Sequence, residues 1–102
     1  MRNTYEILWT MRAENDLDNI LGYLENNWTE KEINNFAQLL DKNLDLISSN
    51  PNMFVLYDID KNIHKCVIAP QTSIYYVVDY DKNTVTLLTL FDNRRNPKIL
   101  NF

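Results

Sequence analysis

The chain has 102 residues, enough for one domain with a modest hydrophobic core, and we expect residues 1–102 to form that single domain. Apolar residues make up 45% of the chain and charged residues 24%, which is typical of a globular protein and leaves no apolar run that could span a membrane. One glycine excludes a glycine-rich phosphate loop, and one cysteine excludes an internal disulfide. Because the first residues lack the apolar stretch of a signal peptide, we expect a cytoplasmic protein.

The formal net charge is −4, and the acidic residues are concentrated in the first half of the chain. Residues 1–50 carry nine Asp and Glu against four Lys and Arg, whereas residues 51–102 carry five against six. A protein that binds nucleic acid through its backbone normally presents a basic stripe. The sequence therefore predicts no tight general binding to nucleic acid and leaves room only for a small local patch.

The chain begins with the pattern of a short strand followed by a helix. Tyr5, Ile7 and Trp9 recur at the period of a strand, and Thr10 is a suitable N-cap for the helix that follows. Helical spacing then joins six apolar residues into one stripe: Ala13, Leu17, Ile20, Leu21, Leu24 and Trp28. Gly22 lies off the centre of this stripe and is expected to allow close helix packing.

A second helix is predicted directly after the first. Thr29 and Glu32 form a capping box, which begins a helix, and Asn50 with Pro51 ends it. Its apolar stripe consists of Ile33, Phe36, Ala37, Leu40, Leu44 and Ile47. We expect the two helices to form an antiparallel hairpin whose stripes are core rather than a cofactor site, and no cofactor is predicted.

The second half of the chain predicts antiparallel strands over residues 63–69, 73–80 and 84–91, with a tight turn at 81–83. Residues 52–62 fit either a short strand or a loop packed on the helices. The order β-α-α-β-β-β predicts an α+β fold, in which a twisted antiparallel sheet is covered on one face by the helical hairpin. The first strand is able to join this sheet. The last five residues form an apolar tail that fits either docking on the sheet or contact with a partner.

Several side chains of the sheet have a structural and a functional interpretation. Tyr75, Tyr76 and Tyr80 are interpreted as mainly core residues rather than as a platform for stacked bases, because alternation sends them to both faces. Cys66 is interpreted as a small buried hydrophobe. A single His64 is more simply a histidine on the exposed surface of its strand than a catalytic group. No group of His, Cys, Asp and Glu has the spacing of a metal site.

Taken together, these segments resemble a known family. The first helix contributes Ala13, Asp16-Leu17, Ile20, Tyr23-Leu24 and Trp28, and the sheet contributes Ser73-Ile74-Tyr75-Tyr76-Val77-Val78-Asp79. Trp9-Thr10 and Asn50-Pro51 flank the two helices, and the motif Phe91-Asp92-Asn93-Arg94-Arg95-Asn96-Pro97 follows the last strand. Over nearly its whole length the chain resembles the RelE/ParE superfamily of bacterial toxins, and within it the ParE-like, plasmid-stabilisation branch.

This resemblance implies the toxin of a type II toxin–antitoxin system, held inactive in a hetero-oligomer by a cognate antitoxin that folds as it binds. ParE-type members are associated with poisoning DNA gyrase, whereas RelE-type members cut messenger RNA on the ribosome. A shared fold does not decide between these activities. The preferred interpretation is a growth inhibitor that binds DNA gyrase. The alternatives are a ribosome-dependent mRNA endonuclease and an inactive relic that only binds antitoxin.

The endonuclease interpretation needs a proton acceptor and cations that stabilise the charge on the phosphate. In this sequence it would use Lys65 and Arg94 as cations and His64 beside Lys65 for proton transfer. The family commonly carries a tyrosine near its C-terminus, but no tyrosine follows Arg95 here. That departure favours the gyrase interpretation over the nuclease.

The gyrase interpretation assigns target binding to Arg94, Arg95 and Lys98. Arginine suits this role because its guanidinium binds carboxylate or phosphate groups in a bidentate manner. A structural alternative is that one arginine of the pair is held by Asp92 or by a carboxylate of the helices. The pair also fits contact with an acidic antitoxin segment.

Overall fold

The computed structural model describes residues 4–102 as a five-stranded sheet with two helices against one face. Residues 1–3 of the predicted domain lie outside this description. The elements are β1 Glu6–Trp9, α1 Met11–Asn27, α2 Glu30–Ser49, β2 Val55–Asp58, β3 Ile63–Ala69, β4 Thr72–Asp79 and β5 Thr84–Asp92, with 3₁₀ turns at Pro51–Met53 and Pro97–Ile99. The predicted α+β fold is confirmed, and residues 52–62 supply one further strand, β2.

The strand order β1-β5-β4-β3-β2 makes β4 the central strand, with β5 beside it, and places β1 and β2 at the edges. Strands β2 to β5 are antiparallel, as the short turns predict. Asn83 adopts a left-handed conformation with φ 53° in the β4–β5 turn, which asparagine tolerates well. β1 joins the sheet in parallel with β5, with Glu6 opposite Thr84. The sheet is therefore mixed rather than wholly antiparallel.

Both predicted helix caps are present. The Thr10 hydroxyl oxygen accepts the N–H of Ala13 at 3.1 Å, and the same hydroxyl lies 2.8 Å from the Leu87 carbonyl oxygen in β5. This cap therefore also fixes the start of α1 to β5. At the start of α2, Thr29 and Glu32 each accept the other's main-chain N–H at 3.3 Å, which confirms the capping box.

The core between helices and sheet contains most of the two predicted helical stripes. Its fully buried members are Ala13, Leu24, Phe36, Leu40, Ile47, Cys66, Ile68, Ile74, Tyr76, Val85, Leu87 and Leu90. A smaller cluster lies on the opposite face of the sheet, where Ile63, Tyr75 and Phe91 are covered by Leu100 and Phe102. The tail therefore docks on the sheet, one of its two predicted alternatives. Burial on both faces explains the continuous apolar sequence of β5.

Three predictions for the helices are wrong. Ala37 lies on the exposed side of α2 rather than in its buried stripe, and Trp28, predicted in the first stripe, is 37% exposed just after α1. Gly22 does not allow close packing, because no atom lies within 4 Å of the position that a Cβ would occupy there. Within residues 4–102, no helix has both the length and the apolar composition needed to cross a membrane.

Candidate functional site

The turn that follows β5 is organised by one carboxylate. Asp92 accepts the main-chain N–H of Arg94 at 2.9 Å and two guanidinium bonds from the same residue at 3.0 and 2.8 Å. The prediction that Asp92 holds one arginine of the pair is thus confirmed. The side-chain hydrogen bond from Arg94 is the main reason that the pKa of Asp92 lies below its ordinary value.

Asn93 anchors this turn to the β3–β4 turn at the same end of the sheet. Its main-chain N–H donates to the Gln71 carbonyl at 2.8 Å, and its side-chain oxygen accepts the Ser73 hydroxyl at 2.8 Å. Ser73 is fully buried, so this bond is protected from water. Sequence reasoning missed both residues, since an Asn–Ser pair 20 positions apart carries no local signal.

The other two predicted target-binding residues, Arg95 and Lys98, have no carboxylate of residues 4–102 within 4.0 Å. The guanidinium carbon of Arg95 lies 6.0 Å from the centre of the Phe91 ring, a cation–π arrangement. Lys98 is exposed, and its main-chain N–H donates a hydrogen bond to the side-chain oxygen of Asn96. Across residues 4–102, Arg94 with Asp92 forms the one ion pair within 4.0 Å. Arg95 and Lys98 are therefore available to an external anion.

An open groove of about 480 Å³ lies between the helical hairpin and these two turns. Its apolar wall comes from the facing sides of α1 and α2, and its polar rim comes mainly from the turns. Residues of the wall are Tyr23, Leu24, Trp28, Phe36 and Leu39, and residues of the rim include Gln71, Arg94 and Arg95. The groove combines this apolar wall with cations at its rim, which suits an amphipathic acidic segment.

The predicted catalytic neighbours His64 and Lys65 lie on opposite faces of β3. His64 is only 6% exposed, its ring stacks on Tyr76 at 5.1 Å, and its Nδ1 lies 3.0 Å from the Phe54 carbonyl oxygen. The interpretation of His64 as a surface histidine is therefore wrong. The Lys65 ammonium lies 5.9 Å from the centre of the Tyr75 ring, on the face away from the helices.

Neither residue is close to the turn that carries Arg94 and Arg95, called here the arginine turn. On β3, Lys65 and His64 lie opposite Tyr75 and Tyr76 of β4, whereas Asp92 on β5 lies opposite Thr72 of β4. Thr72 is three to four residues away from these tyrosines along β4. At about 3.3 Å per residue this is a separation of roughly 10–13 Å along the sheet. The structure thus does not bring Lys65, His64 and Arg94 together.

The remaining sheet residues have structural roles. Tyr75 and Tyr76 are buried, as predicted, and the Tyr76 hydroxyl donates to the Pro51 carbonyl at 2.6 Å. Cys66 is also fully buried, and burial raises the pKa of its thiol to about 11. Tyr80 is 53% exposed, so its interpretation as a core residue is wrong. In the part of the chain from residue 4 onwards, no three His, Cys, Asp or Glu side chains are grouped as metal ligands.

The architecture is similar to that of several solved structures. The toxin–antitoxin complex RelBE2 from Mycobacterium tuberculosis contains a chain with a TM-score of 0.61 at 15% identity, covering 87% of this chain and 91% of that chain. The solution structure of the conserved hypothetical protein HP0894 from Helicobacter pylori gives a TM-score of 0.56 at 22% identity, covering 89% and 97%. At these identities the similarity establishes the fold alone.

The sequence itself establishes the family. Residues 7–97 match the family described as the ParE toxin of the type II toxin–antitoxin system parDE. The chain belongs to this family and is a toxin of a type II toxin–antitoxin system. The resemblance stated from the sequence is confirmed. No curated protein matches the sequence.

Proposed function

We propose that this toxin stops bacterial growth by binding a macromolecular target in the cytoplasm, with DNA gyrase as that target. The observation that carries the proposal is the arginine turn, in which Asp92 fixes Arg94 while no carboxylate of residues 4–102 lies within 4.0 Å of Arg95 or Lys98. A preformed cationic turn binds an acidic surface at little cost in conformational entropy. The separation of His64 and Lys65 from this turn supports binding rather than cleavage.

A cognate antitoxin is the second partner. The similar RelBE2 structure is a toxin–antitoxin complex. The groove beside the arginine turn offers its apolar wall to one face of an antitoxin segment and its cationic rim to the acidic residues of that segment. Toxin and antitoxin form a hetero-oligomer in this proposal. We assign the toxin to the plasmid-stabilisation branch of the superfamily, in which loss of the antitoxin releases the toxin.

Supercoiling by purified gyrase tests the target. Antitoxin-free toxin in stoichiometric excess should inhibit supercoiling, and Arg95→Ala should weaken inhibition about tenfold or more, because a charge-assisted contact contributes about 1.5–3 kcal/mol. Lys82→Ala is the matched control, since this exposed cation lies in the β4–β5 turn, away from the groove. Unchanged supercoiling with soluble wild-type toxin would reject gyrase as the target.

Growth after induction tests the function as a whole. The toxin alone should arrest its host, the antitoxin encoded beside it should rescue growth, and Arg94→Ala/Arg95→Ala should be harmless. Transcripts should stay intact during the arrest. Cleaved transcripts would instead support the ribosome-dependent endonuclease that uses Lys65, Arg94 and His64, and normal growth with soluble toxin would support the inactive relic.

A further inference from the structure

The outer side of β2 forms an apolar edge of the sheet. Within residues 4–102, β2 pairs with β3 alone, so the main-chain groups on its outer side meet no further strand. Five large apolar side chains are exposed along this segment, and we call them the β2 edge: Met53, Val55, Leu56, Tyr57 and Ile59. An exposed edge of this composition is a template for pairing with another strand.

The other edge of the sheet is attached to a helix. The main-chain N–H of Tyr5, just before β1, donates to the Ser48 carbonyl at 2.8 Å, and the Ser48 hydroxyl donates to the Tyr5 carbonyl at 2.6 Å. The end of α2 thus holds the entry to β1. Of the two edge strands that the structure describes, β2 is therefore the more open to a partner.

The apolar residues of the β2 edge are arranged symmetrically about Leu56. When two copies pair antiparallel with Leu56 opposite Leu56, Val55 lies opposite Tyr57 of the other copy. In the same register Met53 lies opposite Ile59. A β-branched residue opposite an aromatic one is a favourable cross-strand pair. Each exposed apolar side chain thus meets another one, an arrangement that a partner of unrelated sequence would provide only by chance.

The charges near the β2 edge also favour an antiparallel pair of copies. Residues 52–57 carry no charge, and Asp58 follows them. In the antiparallel register Asp58 lies opposite Phe54, so the two Asp58 carboxylates are separated by roughly 13 Å along the strands, more than the Debye length at physiological ionic strength. An acidic segment of another protein would instead meet Asp58 and Asp60 against a single Lys61.

The size of the β2 edge determines how strong this contact is. Five exposed side chains from each of two copies offer on the order of 1,000 Å² together, which is the low end for a specific interface. β2 has only four residues, and its pairing with β3 shifts register after Leu56. An irregularity of this kind shortens the ladder that a second strand can form. The contact therefore suits a reversible dimer at high protein concentration.

We propose that the β2 edge is a self-association surface, on which a second copy of this chain pairs antiparallel about Leu56. The two five-stranded sheets then join into one, with a two-fold axis perpendicular to the sheet at Leu56. The helices of both copies lie on the same face of the joined sheet. This inference goes beyond the proposed function and does not depend on it, because the groove beside the arginine turn contains no residue of the β2 edge.

Sedimentation equilibrium of the antitoxin-free full chain tests the dimer. Between about 1 µM and 1 mM, the weight-average mass should rise from that of one chain towards that of two. Leu56→Lys should weaken the dimer about tenfold or more, because it places two ammonium groups directly opposite each other at the axis. Met11→Lys is the matched control, since Met11 is 77% exposed at the start of α1 and should leave association unchanged. A constant mass of one chain, or a dimer that Leu56→Lys leaves intact, would overturn the proposal.

Mixing two variants tests the register. Leu56→Lys and Leu56→Glu should each be mainly monomeric, whereas an equimolar mixture should form a heterodimer in which the introduced charges attract. The mixture should therefore associate about tenfold or more tightly than either variant alone. A mixture that associates no better than its components would show that Leu56 does not lie at the axis and would reject the proposed pairing.

Disulfide cross-linking gives a second measurement that needs no charged variant. Directly opposite residues of an antiparallel pair have Cα atoms about 4.5–5.5 Å apart, within the range of a disulfide, so Leu56→Cys should cross-link two copies under mild oxidation. The native Cys66 is fully buried and does not compete. Ile59→Cys is more exposed, but the proposed register separates the two copies of this position by roughly 20 Å, so it should cross-link at least about tenfold more slowly. Equal rates at the two positions would indicate random collision and contradict the proposal.

The salt dependence separates this contact from association through opposite charges. Each copy has a formal net charge of −4, so two copies repel each other. Raising the ionic strength from about 0.05 M to 0.5 M screens this repulsion and should tighten the dimer. A dimer that weakens over the same range would be held by ion pairs rather than by the apolar β2 edge, which would overturn the proposal.

Discussion

Asp92 accepts three hydrogen bonds from Arg94, two from the guanidinium and one from the main chain. The pair is exposed, so it contributes little to stability, and its effect is to fix the direction of one arginine. Lysine at position 94 could not reproduce this geometry, because a single ammonium cannot bind a carboxylate through two parallel N–H groups. The hydrogen bond from the Arg94 side chain lowers the pKa of Asp92, so the carboxylate stays ionised to a lower pH than an ordinary aspartate.

Cys66 gives a pH-dependent prediction at the same scale. Burial raises its folded-state pKa from 9.0 to about 11, so the folded protein keeps a proton that the unfolded chain loses. This stabilisation is complete below pH 9 and is lost as the pH rises towards 11. Between pH 8 and pH 10, urea unfolding of the wild type should lose about 1 kcal/mol more than that of Cys66→Ala. Equal losses in the two proteins would contradict the pKa shift.

His64 marks the limit of sequence reasoning about single residues. Its neighbours in the chain do not reveal that Tyr76 lies opposite it on β4 or that the Phe54 carbonyl reaches its ring. Both contacts arise only when β2 and β4 flank β3. By contrast, the burial of Cys66 followed from its residue type and that of Tyr76 from alternation along β4, and Asp92 was one of the two alternatives for holding an arginine of the pair.

At the scale of elements, one side chain attaches α1 to the centre of the sheet. Asp16 on α1 accepts the hydroxyl of Thr89, which is 2% exposed, and the main-chain N–H of Leu90 at 3.3 Å. Helix and strand are thus joined by a carboxylate as well as by apolar packing. Asp18, two positions further along α1, is exposed.

Asp16→Ala should therefore lower the free energy of unfolding by about 1–3 kcal/mol, because it leaves a buried hydroxyl and an N–H without their acceptor. Asp18→Ala should change it by less than about 0.5 kcal/mol. Chemical denaturation of the two variants beside the wild type measures both values. Equal effects would show that Asp16 acts only through general charge on the helix.

Elements whose sequence signals are local were predicted well. Strand 63–69, both caps and the turn with Asn83 depend on neighbouring residues, and the structure has them where the sequence indicates. β2 stayed ambiguous because its residues are largely exposed at an edge, so no alternation marks a buried face. The parallel pairing of β1 with β5 depends on where two helices return the chain, which spacing alone does not specify.

For the molecule as a whole, the sheet is stable at its centre and weak at one edge. β4 is paired on both sides and covered on both faces, whereas β2 has one neighbour, a register shift after Leu56 and mostly exposed side chains. Local opening is governed by such differences in pairing and burial.

Native-state hydrogen exchange should show this gradient. The amides of Ile74–Tyr76 should exchange through global unfolding, and those of β2 should exchange about 100-fold faster or more, since they need only the edge strand to open. Similar protection in β2 and β4 would mean that the edge is as stable as the centre. Urea at low concentration should leave the fast exchange of β2 nearly unchanged.

The parallel pairing of β1 with β5 also has a consequence during synthesis. Glu6 pairs with Thr84, which lies about 78 residues further along the chain. The ribosome adds those residues in on the order of 4–16 s, at roughly 5–20 residues per second. Through that interval the first strand has no neighbouring strand, and the main core lacks the residues of β5. A nascent toxin is thus a chain without its finished sheet, and a partner that recognises that sheet meets it only after β5 has been synthesised.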